Sequence, residues 1–359
     1  MDKEWYEMVS TPSLIVHQEK MMRNIETMAK VARDGKVNLR PHVKTHKCPE
    51  IAKLQLEAGA GGICVAAVGE AEVFASHGCD DILIANQVVE THKMQRMIDL
   101  AGKVKLRACV DSVKNIKDLN ALANKAGIKL EVLLDIDVGM GRTGVLPGAP
   151  SLEMANFVKD APFLELVGFQ VYEGHLNYLL DFDEKKTQTH DCMKLVVDTR
   201  DLLNDNDFEI DYITASGTST SSISSQYPGI TEIQPGTYIF SDVHTQDRCP
   251  EYEIALTILS TVNNKVGKNM YTLDMGSKSV ATADGKPELR DYPSSKMQML
   301  NEEHGQFRAK KGDTFEIGQK IELVPAHVCP TCNLYDHYNV IKDGEFIGKW
   351  NIEARGKNY

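Results

Sequence analysis

A chain of 359 residues with 42% hydrophobic and 25% charged side chains holds enough apolar material for a large core, and disorder is excluded as its main state. Its 51 acidic against 40 basic residues leave a formal charge of −11, which argues against nucleic acid or an anionic membrane as partner, because phosphate binding needs a basic face. No run of eighteen apolar residues and no apolar leader is present, and the eight cysteines are scattered, so the expectation is a cytoplasmic protein with reduced thiols.

From about residue 17 to 240 short β-branched runs alternate with helical stretches. Eight strands are expected: Val37–Lys44, Gly62–Ala67, Asp81–Asn86, Lys105–Val110, Leu130–Asp137, Leu166–Tyr172, Asp211–Ala215 and Thr231–Pro235. They are apolar on both faces, as strands covered on both sides should be. Helices are expected over Pro49–Ala58, Gly69–Ser76, Val89–Leu100, Ser112–Lys125 and Glu184–Leu203, the fourth capped by Asp111 or Ser112. Eight such units in about 220 residues point to a (β/α)8 TIM-type barrel.

After Phe240 helical periodicity disappears. Alternating runs at Tyr252–Val262, Met270–Asp274, Asp313–Val324, Tyr338–Lys342 and Glu345–Ile352 are separated by turn signals at Asn263-Asn264, Asp284-Gly285 and Asp343-Gly344. The expected organisation is an α/β chain: an N-terminal segment 1–16 that joins the β-domain, a barrel over 17–240, and a mostly antiparallel β-domain over 241–359 that carries a metal site.

A barrel places its chemistry at the C-terminal ends of its strands. The first end reads Arg40-Pro41-His42-Val43-Lys44-Thr45-His46-Lys47, the fifth carries Gly141-Arg142, the sixth Tyr172-Glu173-Gly174-His175, the seventh Ser216-Gly217-Thr218-Ser219-Thr220 and the eighth Pro235-Gly236-Thr237-Tyr238. Lys44 closes an apolar run beside His42, His46 and Lys47, neighbours that can lower an ammonium pKa as a Schiff-base lysine requires. A solvated loop lysine is the alternative. The Ser216–Thr220 turn suits an anion: glycine admits the backbone, while amides and hydroxyls supply donors. His327 and Cys329 stand at i and i+2 on an extended run, so both could face one cation and leave positions for substrate. Buried inert cysteines are the alternative. Cys329-Pro330-Thr331-Cys332 also has C-x-x-C spacing, but no second pair accompanies it.

Together these segments resemble the D-serine dehydratase / D-threonine aldolase family, alanine-racemase-like enzymes of pyridoxal-phosphate fold type III. Arg40–Lys47 is similar to the cofactor-lysine motif, and Pro325-Ala326-His327-Val328-Cys329-Pro330-Thr331-Cys332-Asn333-Leu334 to the metal motif. Gly168–His175, Pro235–Tyr238, Asp274–Lys278 and Glu302-Glu303-His304-Gly305 follow in the family's order.

The resemblance implies that Lys44 binds pyridoxal phosphate covalently and serves as base at Cα. It implies phosphate contacts from Gly217, Thr218, Gly236 and Thr237, with Tyr238 nearby. Arg142 would meet the cofactor ring oxygen, and Tyr172 would line the pocket as a second catalytic candidate. His327 and Cys329 would hold a divalent metal: zinc by preference, since thiolate selects softer cations, with manganese or magnesium as alternatives. It further implies a homodimer acting on a small-molecule D-amino acid. Family dehydratases carry His-x-Cys and aldolases more often His-x-Asp, so β-elimination from a D-β-hydroxy amino acid is favoured over retro-aldol cleavage. A racemase would need a second base and no metal.

Overall fold

The structure is a computed structural model and describes residues 4–359, so the first three residues of the expected N-terminal segment lie outside it. The chain forms two compact units. One comprises the stretch up to Thr27, Thr45–Glu50 and Thr237–Gly356; the other comprises Met28–Lys44, Ile51–Gly236 and Lys357–Tyr359. The strands, in chain order, are β1 (Ser13–His17), then β2 (Asn38–Leu39), β3 (Ile63–Val65), β4 (Asp81–Gln87), β5 (Lys105–Val110), β6 (Leu130–Ile136), β7 (Leu164–Val171), β8 (Tyr212–Ala215) and β9 (Glu232–Ile233).

Strands β2 to β9 make an eight-stranded sheet ordered β2-β9-β8-β7-β6-β5-β4-β3, and every pairing in it is parallel. A parallel bridge between His42 and Cys64 joins the two ends of that order, so the strands form a ring. Cys64, Leu83, Cys109 and Leu133 fill its interior. Two of the scattered cysteines thus serve as small apolar side chains in a core. Strand β7 lies so close to β8 that a Cβ on Gly168 would sit 1.9 Å from the Tyr212 carbonyl oxygen, which leaves room only for glycine.

Charged side chains cross-link the strand starts. The buried Arg40 guanidinium donates to Glu232 at 2.8 Å and to Asp81 at 2.7 Å, and Arg107 reaches Asp81 at 3.0 Å and Glu131 at 2.7 Å. Asp81 and Glu232 are the first residues of β4 and β9. Removing Arg40 would strand Glu232 as an uncompensated buried charge, at a cost of about 3–5 kcal/mol. The arginine of the lysine motif therefore locks the end of the barrel opposite its chemistry.

Helix starts follow the expected capping chemistry. The Ser112 hydroxyl accepts from the Asn115 amide before helix Val113–Ala126, and Asp181 accepts from Glu184 before Phe182–Asn204. Two helices that the sequence reading does not place are present at Gln18–Gly35 and Ala149–Lys159. The first strand is shorter than the expected Val37–Lys44. Pro41 has no N–H to offer a ladder, and Val43–Thr45 winds into a 3-10 turn.

The other unit adds β10 (Leu256–Val266), β11 (Met270–Leu273), β12 (Glu288–Leu289), β13 (Lys296–Leu300), β14 (Gly305–Arg308), β15 (Lys320–Val324), β16 (His337–Lys342) and β17 (Glu345–Asn351). With β1 they form a nine-stranded sheet. Only the β1–β16 pairing is parallel among these strands. Trp5, Tyr6, Val9, Ile15, Leu259 and Ile341 pack into one buried cluster. Asp343 and Gly344, with φ of 51° and 81°, make the tight β16–β17 hairpin. The turn expected at Asn263-Asn264 does not form there: β10 continues to Val266 through a bulge between Val262 and Asn264, and Gly267 at φ 69° turns the chain instead. Two short helices, Val243–Arg248 and Val328–Cys332, interrupt the expected all-β texture. No helix among the described residues is long and apolar enough to cross a membrane.

Candidate active site

In the barrel unit, Lys44 sits in the 3-10 turn that leaves β2, between buried Val43 and Thr45. Burial pushes the neighbouring Cys64 thiol up to about 12, and the charge of Lys44 is the foremost influence opposing that rise. The Lys44 side chain therefore lies near the β3 strand.

The sixth and seventh strand ends are tied together by a chain of polar contacts. Asn177 donates to the Tyr172 hydroxyl at 2.8 Å, and Ser219 donates to Asn177 Oδ1 at 2.5 Å. A Cβ on Gly217 would lie 3.1 Å from the Tyr172 ring. The Arg142 guanidinium stands over the same ring at 5.4 Å from its centroid. Tyr172 and Arg142 also line a small cleft with Asp135, Asp137, Met140 and Thr143. Burial raises the Asp135 carboxyl, against the hydrogen bonds that it accepts from Gln87 and Thr143. Three of the expected residues, Arg142, Tyr172 and Gly217, are thus brought together.

The Ser216–Thr220 turn has the form of an anion cradle. Ser216 adopts φ 71°, and its buried hydroxyl has no hydrogen-bond partner. The Gly217 amide donates to the Thr220 hydroxyl at 3.3 Å. A phosphate would satisfy such an orphaned hydroxyl, so the turn fits the phosphate of pyridoxal phosphate. Behind it lies Glu173, fully buried, which accepts from the Ser224 hydroxyl at 3.2 Å. Burial raises its carboxyl above the usual range, against the hydrogen bonds that it accepts from Thr220 and Ser224. Sequence reading quotes Glu173 only as part of a motif; its role depends on a contact 51 residues away. Gly236 ends the barrel unit's last long segment.

The other unit contains the remaining candidates. Thr237 and Tyr238 open a 3-10 turn, Thr237–Ile239, and Tyr238 is fully buried against Tyr252 at 6.0 Å between ring centroids. His327 caps the helix Val328–Cys332, which carries Cys329 on its first turn. Burial lowers the His327 imidazole, but hydrogen bonds to Cys329 and Asp284 outweigh it and lift the group to about 9. The Thr45 hydroxyl lies 3.2 Å from Cys329 Sγ. The Asp242 carboxylate accepts from the Val328 amide at 3.0 Å and from the Thr245 amide at 2.7 Å.

Among the described residues no group of three or more His, Cys, Asp or Glu is arranged to share a cation. An imidazole and a thiol in mutual contact are nevertheless two good ligands for a borderline-soft cation, and a two-ligand site leaves open positions for substrate oxygen. The donor set therefore fits a divalent metal of catalytic type. Cys332, three residues on, is fully buried, with burial raising its thiol well above the usual range.

Comparison with known proteins adds to this geometry. Residues 16–243 match the family model for the alanine racemase N-terminal domain, and residues 255–341 match that of a putative serine dehydratase domain. A D-threonine aldolase from an Arthrobacter species is 35% identical over 97% of this chain and 93% of its own. The crystal structure of D-threonine aldolase from Filomicrobium marinum superimposes with a TM-score of 0.95 at 32% identity, covering 98% of this chain and 96% of the other. The D-threo-3-hydroxyaspartate dehydratase of Delftia sp. HT23 is 26% identical over 95% of this chain and 97% of its own. Structures of that dehydratase superimpose with TM-scores of 0.88 and 0.89, covering 96–98% of this chain and 95–99% of the other, and include variants with alanine at a histidine and at a cysteine two positions further on, the latter solved in a metal-free form.

Proposed function

The chain belongs to the D-serine dehydratase / D-threonine aldolase family of fold-type III enzymes and is a pyridoxal-phosphate-dependent lyase, and we propose that it uses a divalent cation to dehydrate D-β-hydroxy amino acids. The observation that carries this reading is the His327–Cys329 pair, an imidazole and a thiol in contact on one turn of chain. A histidine and a cysteine at the same spacing are the substituted positions in two structures of the Delftia dehydratase, the cysteine variant in a metal-free form.

Lys44 would hold the cofactor covalently and would move the proton at substrate Cα. Gly217, Thr218, Gly236 and Thr237 would bind the phosphate, with Tyr238 as a further candidate. Arg142 would meet the ring oxygen, and Tyr172, held by Asn177, would line the pocket. When bound, the cofactor supplies an electron sink for the charge left at Cα. His327 and Cys329 would hold the cation, which would supply Lewis acidity towards the substrate β-hydroxyl, and the thiolate would favour zinc over manganese or magnesium. The enzyme works as a cytoplasmic homodimer.

Retro-aldol cleavage needs the same parts and has its own support: the two aldolases are 35% and 32% identical to this chain, the dehydratase 26%. Ligand identity outweighs overall identity in our reading, because the ligand touches the bond that breaks. Incubating the zinc-loaded enzyme with D-threonine separates the two. Oxobutanoate with ammonia is the expected product; glycine with acetaldehyde as the main product would replace dehydration by aldol cleavage. L-threonine should turn over poorly, since one lysine serves one face of the cofactor.

A further inference from the structure

We infer that Asp284 is the positioning residue that aims the His327 imidazole at the cation, an inference that rests on the metal reading above. The Asp284 carboxylate lies 2.7 Å from His327 Nδ1. A carboxylate only accepts, so Nδ1 carries a proton towards Asp284, and Nε2 is the ring nitrogen that can offer its lone pair to a metal. A carboxylate behind a ligating histidine fixes the tautomer, stops the ring from turning and raises its basicity.

Asp284 does not meet His327 by the accident of a loose surface loop. It stands in the turn Thr282–Gly285, closed by a 3.2 Å bond from the Gly285 amide to the Thr282 carbonyl. Three further contacts hold the turn and the ligand segment in place. The Ala281 amide donates to Thr331 Oγ1 at 3.2 Å, Thr331 Oγ1 donates in turn to the His327 carbonyl at 2.8 Å, and the His244 ring donates to the Asp284 carbonyl at 2.7 Å. Thr331, inside the C-P-T-C stretch, thereby gains a role of its own: it staples the turn that bears Asp284 to the residue that Asp284 orients. Asp242 holds the Val328 amide independently. Backbone and ring of His327 are both fixed before a cation arrives, which is the preorganisation that a two-ligand site needs most.

The test is zinc affinity of the cofactor-loaded enzyme, measured by competition with a chromophoric chelator, with cobalt substitution to read ligand geometry. Asp284→Ala should weaken zinc binding by about 10–100-fold, and Asp284→Asn, which keeps an acceptor for Nδ1–H but not the charge, should lose less. Both should retain the visible cofactor band and the wild-type melting temperature. If the alanine variant misfolds, the asparagine variant decides. His327→Ala and Cys329→Ala run alongside. Wild-type zinc affinity in those two would overturn the metal reading itself. Loss in those two with wild-type affinity and an unchanged cobalt spectrum in both Asp284 variants would overturn the role of Asp284 alone.

Discussion

The Thr45 hydroxyl and the Cys329 thiol stand 3.2 Å apart although 284 residues separate them. Thr45 is the residue after Lys44, so the stretch bearing the cofactor lysine continues straight into a partner of the candidate metal ligand. That contact singles out Cys329 from Cys332, which is fully buried with burial holding its thiol protonated. Cys329→Ala should therefore strip the metal, read by elemental analysis, whereas Cys332→Ala should keep most of it and lose only packing. Chelation should abolish turnover while leaving the visible cofactor band. Equal metal loss from both cysteine variants would mean a different ligand set.

Covalent cofactor attachment is expected at Lys44 and at no other lysine. Borohydride reduction followed by peptide mapping should place the cofactor on the peptide containing Lys44. Lys47, three residues on, is buried, and Lys278 is engaged with Glu302 and Glu303 at 3.1 and 3.0 Å. A label on either one would refute the assignment.

Much of the barrel is legible in the sequence because each strand is a local signal, an apolar run bounded by polar residues, and Lys105–Val110 stands where it is expected residue for residue. What is lost locally is lost to competition. Asn263-Asn264 carries a turn signature, yet it lies in β10, whose register with β11 absorbs it as a bulge, and the freer backbone of Gly267 takes the turn. The candidate site divides the same way. Lys44, the Ser216–Thr220 turn, His327 and Cys329 announce themselves by residue type within a short window. Asp284 does not: in sequence it is the first half of an Asp-Gly turn, and its meeting with His327 spans 43 positions. Glu173 is hidden likewise, because only its burial against the Ser216–Ser224 segment gives it a task.

Crowding behind the anion cradle gives a steric prediction. A Cβ on Gly217 would already lie 3.1 Å from the Tyr172 ring. Gly217→Val would push further into that ring and force either Tyr172 or the turn to move, at a cost of about 1–3 kcal/mol for an overpacked site. The expected outcome is cofactor retention weakened about tenfold or more, followed by absorbance after dialysis, with zinc content unchanged. Unaltered retention would show that the turn does not grip the phosphate.

His17 gives the β-rich unit a pH-dependent stability. Its Nε2 lies 2.7 Å from both the Arg290 guanidinium and the Glu322 carboxylate. Burial is the largest influence and lowers the imidazole below its ordinary 6.5; Arg290 adds to this, while Glu322, 2.7 Å away, opposes it. Glu322 is already supplied by Tyr6 at 3.0 Å and Thr257 at 2.6 Å, so it does not need the histidine proton. The sign follows from proton counting. Below pH 6.5 the unfolded chain binds a proton that the folded chain refuses, so the His17 contribution is whole above 6.5 and is lost as the pH falls towards the folded value. One such group changes stability by at most about 1.4 kcal/mol per pH unit. Melting temperatures of wild type and His17→Gln, measured from pH 8 downwards in steps of about one unit, should therefore run parallel above neutrality and converge or cross below it, because the glutamine variant lacks that acid-side loss. Parallel curves throughout would show that His17 takes up its proton in the folded state as readily as in the unfolded one.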